Sequence, residues 1–440
     1  MRGWKKSCFD REKCYNKNNA EKTGFNILNE KIRIEGINMP LGWIDFSNTE
    51  RSKILSVLEL LSEKGTLDEL GIAPIRDGFS NIFFPGTSTI QTRAKYFFVV
   101  PYALKDLERG KEVNPYKVLQ TLDALEKETG RIFYEQNKNE NGIIGKRAIA
   151  KGGWVKRSPA DVYWAGLRKY GIFVGGNMSL SEYISAMCAL KNQKGTLSKL
   201  GNRRDGEEDI DDRDAGDIGY RQFVKMPLYE ENWMNNTHIQ LTKREGEYLH
   251  NQIIATCQGT MMAYVLQHNM TEFLERKDFK DLRIIIEQFP EEIQINYWIA
   301  LRFSEFLCVL RTIYNVVLSD EKNQEANETL EILWEDVQYY ADIDVDDIFV
   351  RLELQNKSLY IFIQKAREYM KSEDIEGLKR LIKNREIELK GTGRARTCHP
   401  GEFDETEWFG GHGLDYRFSN AKVIIRDIFE SEGIVDAESK

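Results

Sequence analysis

Three short stretches of the chain carry side chains able to do chemistry, and each points to a phosphate rather than to a bond broken. Gln91, Arg93 and Lys95 follow the turn Phe84-Pro85-Gly86-Thr87-Ser88. Small hydroxyl residues after a Pro-Gly turn can cap a helix, and amide or cationic side chains in its first turn can meet phosphate or base edges. Lys146, Arg147, Lys151, Lys156 and Arg157 precede a Ser158-Pro159 helix start, and Arg168 and Lys169 close that helix. Trp154, Tyr163, Trp164 and Tyr170 are interleaved among them. Cations supply phosphate contacts, and exposed aromatics stack on unpaired bases at ~1–3 kcal/mol each. Lys390, Arg394 and Arg396 surround Gly391 and Gly393, and a glycine-flanked basic loop can approach a phosphate backbone closely.

No catalytic constellation accompanies them. The loop at Lys390 lacks the Gly-Lys-Ser/Thr ending of a nucleotide-hydrolysing loop, no GxSxG elbow occurs, and the five histidines form no paired HxK pattern. Cys398, His399 and His412 with Asp404, Glu405 and Asp415 have poor spacing for zinc, so no metal or other cofactor is expected. Asp374 with Glu388-Leu389-Lys390 imitates a magnesium-binding nuclease pattern. However, Ile375, Leu378, Leu381 and Ile382 recur at helical spacing, which points Glu388 and Lys390 apart. The acidic run Asp205–Asp217 has the carboxylate density of a calcium loop, but its glycines are misplaced for one, and it reads as a solvated linker.

The elements that must position these residues are mainly α-helical. Capping boxes are expected at Ser47–Glu50 and Thr242–Glu245, the latter opening a helix to about His268. Other helices are expected over Ser88–Glu108, kinked or broken at Pro101, and over Asn114–Tyr134 and Ala160–Tyr170. Further helical patterns cover Ile293–Leu318, Glu325–Tyr340, Ile348–Met370, Asp374–Leu389 and Asn420–Phe429. Short strand signals at Gly142–Lys146 and Ile172–Val174 predict a small winged-helix-like β element near residues 140–176, with Ala160–Tyr170 lying in a groove and Gly171–Gly176 as the wing. The expected organisation is a loose extension over 1–38, with Met39 an alternative start. A helical domain over 39–204, an acidic linker over 205–218, an acidic helical domain over 219–370 and a C-terminal helical segment over 371–440 follow.

Net charge is −8, but it is unevenly spread. Residues 140–204 hold 12 Lys/Arg against 3 Asp/Glu, whereas residues 205–362 hold 14 against 32. Such single-sign regions steer charged partners, and an acidic face beside a basic one suits an adaptor between DNA and a basic protein. Six scattered cysteines without a CxxC pair, and no apolar leader, fit a cytoplasmic protein with no membrane association. Ile293–Leu318 is interrupted by Arg302, Glu305 and Arg311, so it reads as a buried or amphipathic helix.

The stretch Leu41-Gly42-Trp43-Ile44-Asp45-Phe46-Ser47, then Gly65-Thr66-Leu67-Asp68-Glu69-Leu70-Gly71-Ile72, then Phe84 to Phe97 resembles the N-terminal signature of a bacterial family known only as domain-of-unknown-function family 6361. Ser158–Leu167, Leu389–Arg396 and Leu414–Phe418 are similar to later parts of it, so the resemblance runs from about Met39 to Phe429. The resemblance implies an anti-phage defence setting beside helicase and phospholipase-D-like nuclease subunits, and it brings no agreed catalytic residue. Together these readings predict a non-enzymatic DNA-binding adaptor with DNA, a helicase and a nuclease as partners. The competing readings are a metal-dependent nuclease or toxin effector, and an interaction scaffold without DNA affinity.

Overall fold

Cap chemistry sets the helix starts that matter here. The Asn114 side chain accepts from the N–H groups of Tyr116 and Lys117, with Pro115 at the first helical position, where its missing N–H costs nothing. Ser158 and Asp161 cap each other's backbone, as do Thr242 and Glu245. A computed structural model describes residues 68–201, 223–400, 402, 407–411 and 413–436. The acidic run at 205–217, the capping box at Ser47 and residues His412, Asp404 and Glu405 lie outside the described residues.

The described residues are mainly helical. The first group comprises α1 (Ala73–Phe83), α2 (Tyr96–Arg109), α3 (Pro115–Gln136), α4 (Lys146–Ile149), α5 (Pro159–Lys169) and α6 (Leu180–Gly201). The second comprises α7 (Lys243–Thr256), α8 (Met261–Gln267), α9 (Glu272–Glu275), α10 (Glu291–Leu318), α11 (Gln324–Glu335), α12 (Val337–Tyr340) and α13 (Val345–Arg351). The last comprises α14 (Lys357–Lys371), α15 (Ile375–Lys390) and α16 (Phe418–Glu432).

Two helices organise the core. In α2, Tyr96 to Leu104 are buried without a break, so the helix is apolar all round and is covered by α3 and α5. In α10, 28 residues long, the buried face runs from Ile293 to Leu318 beneath α11, α15 and α1. The C-terminal α16 returns to pack on α7, α8 and α9. Residues 63–440 cluster as one compact unit.

Several expectations are corrected. No helix starts at Ser88: residues 84–95 form a turn-rich loop, and α2 begins at Tyr96. Pro101 sits inside α2 without ending it. The helix expected to reach His268 stops at Thr256, where Gly259 takes a left-handed φ of +78° and Thr260 recaps α8. The patterns at 325–340 and 348–370 each divide, at Asp336 and around Glu353. The wing is absent. Residues 146–149 are helical, and Phe173 makes a single antiparallel bridge to Val224, a residue remote in sequence, instead of closing a Gly-rich hairpin.

Candidate functional site

The loop 84–95 is tied down by its own side chains first. Gly86 (φ +82°) turns the chain, and the Gln91 amide bridges the turn by accepting from the Ser88 N–H and donating to the Gly86 carbonyl. The N–H groups of Thr92, Arg93 and Ala94 then need partners from outside the loop. The Tyr163 hydroxyl accepts from Thr92 and Arg93, and Asp427 accepts from Ala94 at 2.7 Å. From α16, Asn420 donates to the Gln91 carbonyl, while Arg417 reaches the Thr87 carbonyl, Asn81 and Asp77.

Arg93 and Lys95 do not reach out to a ligand, which corrects the expectation for this segment. The Arg93 guanidinium lies between Asp427 (2.8 Å) and Glu140 (2.7 Å), and all three side chains are at most 10 % exposed. Burial pushes the Asp427 carboxyl up, against the pull of Arg93 and the Ala94 N–H. The Lys95 ammonium meets both oxygens of Glu245 at 2.8 Å, and the Tyr102 hydroxyl donates to the same carboxylate. Gln91 is 2 % exposed and equally occupied. A buried cation held by its counter-ion cannot neutralise a phosphate without breaking that pair.

The other candidates divide. Tyr163, Trp164 and Tyr170 are core residues rather than stacking platforms. Trp154 donates to Asp123 and packs beside Gly130. Lys146 spends its ammonium on the Glu140 carbonyl, and Arg168 donates to Asn177. Arg147, Lys151, Lys156, Arg157 and Lys169 face solvent. Residues 146–157 hold five cations and no carboxylate, with Gly152 and Gly153 in the middle.

In the third stretch Arg394 is exposed, but Lys390 pairs with Glu386 at 3.0 Å, and Arg396 pairs with Glu69 beneath the Phe409 ring. Burial alone would raise the Glu386 carboxyl, but the Thr397 N–H, Lys390 and Tyr314 outweigh it and hold it below the usual range. Lys390 and Arg396 therefore fold the loop at 391–397. Glu388 bonds to Ser358 and Arg385, away from Lys390, so the nuclease-like spacing is not a site.

A cleft of about 800 Å³ opens beside the signature loop, between Gln91–Arg93, Glu140–Gly142 and the Ser419–Glu430 face of α16. Sequence reasoning missed its α16 wall. Lys422 and Arg426 were legible only as two cations one helical turn apart on an amphipathic helix, a pattern most surface helices share. Three carboxylates line the cleft, Glu140, Asp427 and Glu430, but Arg93 occupies the space between the first two. Among the described residues, no group of three metal-ligating side chains occurs, and no helix is long and apolar enough to cross a membrane.

No curated protein and no solved structure matches the chain. A family model described as a family of unknown function, DUF6361, matches residues 39–197, which takes in the signature loop, α1 to α5, most of α6 and the basic loop but neither α16 nor the loop at Lys390. Over that N-terminal stretch, about a third of its length, the chain is similar to the family of unknown function DUF6361.

Proposed function

We propose that this protein is a non-enzymatic, nucleic-acid-associated adaptor, binding DNA through the basic loop 146–157 and the end of α5. The observation that carries the reading is the outward display of Arg147, Lys151, Lys156 and Arg157 within eleven residues that contain no carboxylate. Each such cation placed on a phosphate releases counterions, which gives sequence-independent affinity. The continuous basic strip expected through Arg93, Lys156 and Arg394 is not part of this reading, because Arg93 is consumed internally.

The adaptor half of the proposal rests on the opposite charge of α11 to α13. Residues 319–356 hold twelve carboxylates against two cations. Ile332, Tyr339 and Val350 stand 71 %, 56 % and 77 % exposed among them. Apolar side chains ringed by carboxylates suit a basic protein surface. A bacterial anti-phage setting with helicase and phospholipase-D-like nuclease partners comes from the family resemblance and from nothing in this geometry. A metal-dependent nuclease gains no support from the cleft, since Arg93 already neutralises two of its three carboxylates.

The test is fluorescence anisotropy of labelled single- and double-stranded DNA at 50 and 200 mM salt, with the wild type and an Arg147→Ser/Lys151→Ser/Lys156→Ser variant. The variant should bind at least tenfold more weakly at 50 mM salt, with a salt slope shallower by about 0.7–0.9 for each phosphate it no longer neutralises. A folded variant with unchanged affinity and slope would remove the proposal.

A further inference from the structure

We infer that a second, smaller cleft at the start of α7 binds a zwitterion the size of a free α-amino acid. Arg244 holds its carboxylate, Glu230 its ammonium, and the Thr237 hydroxyl a polar group on its side chain. The cleft's volume of about 290 Å³ lies at the low end of the roughly 300–1,000 Å³ range of small-ligand sites. Leu228 and the buried Trp233 ring give it apolar surface, and the Lys95–Glu245 pair forms its floor. No residue of the basic loop takes part.

The floor is already closed to a ligand. Lys95 meets both oxygens of Glu245, which also accepts from the Tyr102 hydroxyl and from the Thr242 N–H and hydroxyl. Glu231, on the rim, is engaged by Arg109. Thr237 is different. It follows a 3-10 turn over Trp233–Asn236, where its N–H donates to the Met234 carbonyl and its carbonyl accepts from the Gln136 amide. Its hydroxyl, in a residue 4 % exposed, has no hydrogen-bond partner. A buried hydroxyl without a partner is destabilising, and native structures keep few that a ligand or water does not meet.

Glu230 and Arg244 carry the remaining charge. Both are exposed, both line the cleft, and among the described residues neither side chain has an ion pair or hydrogen bond. They face the same spot. The Tyr102 hydroxyl is raised above its ordinary range by burial first and Glu245 second; Glu230 pushes it further up and Arg244 draws it back. Opposite charges that share a cleft without pairing are bridged by a molecule bearing both. The start of α7 adds to the preference at Arg244. The Thr242 side chain caps only the Glu245 N–H, so the first-turn N–H groups of Lys243 and Arg244 favour a carboxylate there.

The experiment is a thermal-shift screen of the full chain against the standard free amino acids at about 10 mM, followed by isothermal titration of each that raises the melting temperature. Every hit is repeated as its N-acetyl form, which lacks the ammonium, and as its carboxamide, which lacks the carboxylate. Glu230→Gln, Arg244→Gln and Thr237→Val are compared with the wild type. At least one amino acid should bind, with tenfold or greater weakening in each blocked form and in the Glu230→Gln and Arg244→Gln variants. Thr237→Val should weaken binding while leaving the ligand-free melting temperature unchanged or higher, because it removes a hydroxyl that the empty cleft leaves unmet. The inference is overturned if no amino acid shifts the melting temperature, if a blocked form binds as well as the free one, or if the variants keep the wild-type affinity.

Discussion

Arg93→Ala should damage the fold rather than a binding surface. The substitution leaves the Glu140 and Asp427 side chains, 2 % and 4 % exposed, without the cation that lies 2.7 and 2.8 Å from them. Removing one partner from a buried charge set costs about 3–5 kcal/mol, because the abandoned charges stay desolvated. For a unit spanning residues 63–440, roughly 2.1 cal/mol/K per residue gives an unfolding entropy of about 0.8 kcal/mol/K. The melting temperature should therefore fall by about 4–6 °C. The assay is thermal unfolding followed by circular dichroism. A second variant sharpens it: Arg93→Met with Glu140→Gln and Asp427→Asn removes all three charges together and should recover most of the loss. An Arg93→Ala protein as stable as the wild type, yet weaker on DNA, would refute the reasoning.

Further outcomes follow from other buried groups. Glu126, on α3, is buried against the start of α5, where it accepts from the Ala160 N–H; burial raises its carboxyl to about 8, helped by Asp161 and Asp123 and opposed by Ser158 and Ala160. The folded state then holds a proton that the unfolded state releases near 4.5, so this contribution is complete below 4.5 and is lost as pH rises through about 8. Glu126→Gln should flatten the decline of stability between pH 6 and 9, by an amount on the order of 3 kcal/mol; parallel curves for the two proteins would count against it. Gly166→Ala should cost about 1–3 kcal/mol, since the added carbon would sit 2.5 Å from the Gly86 carbonyl oxygen and 2.7 Å from the Phe97 ring; an unchanged denaturant midpoint would contradict that packing. Lys95→Met should destabilise by about 3–5 kcal/mol by abandoning Glu245, and the wild-type DNA affinity should persist in the folded fraction measured by anisotropy.

Local punctuation made much of the architecture legible. Asn114-Pro115, Ser158-Pro159 and the Thr242–Glu245 box begin helices where the sequence says they do, because a cap needs only residues within three positions of itself. Periodicity located α10 and α15 within a few residues. The mistakes lie where the deciding partner is remote. Residues 88–95 have helix-compatible composition, but Tyr163, 70 positions on, and Asp427, more than 330 on, take up the N–H groups a helix would have used. Gly171–Gly176 looked like a hairpin because glycine-rich turns usually close locally, whereas its Phe173 bridges to Val224.

The candidate site was legible in the same uneven way. The basic block was visible as charge density, and Arg147, Lys151, Lys156 and Arg157 do face outward. The signature at Gln91–Lys95 was visible too, but its conspicuous cations had counter-ions on α7, α16 and at Glu140 that no local pattern reveals. Sequence alone marks a cation; whether it faces solvent depends on which carboxylate the fold brings beside it. The cleft was invisible for that reason, since its α16 wall lies more than 270 residues beyond the Gln91–Arg93 and Glu140–Gly142 segments it faces.

Amide hydrogen exchange of the full chain, with and without single-stranded DNA, tests the central claim most directly: the signature loop is an internal joint, and the basic loop is the surface that meets DNA. Thr92, Arg93 and Ala94 already donate to Tyr163 and Asp427, so their amides should exchange slowly in the free protein and change little on adding DNA, while residues 146–157 gain protection. Fast exchange at 92–94 that DNA suppresses, with 146–157 unaffected, would contradict it.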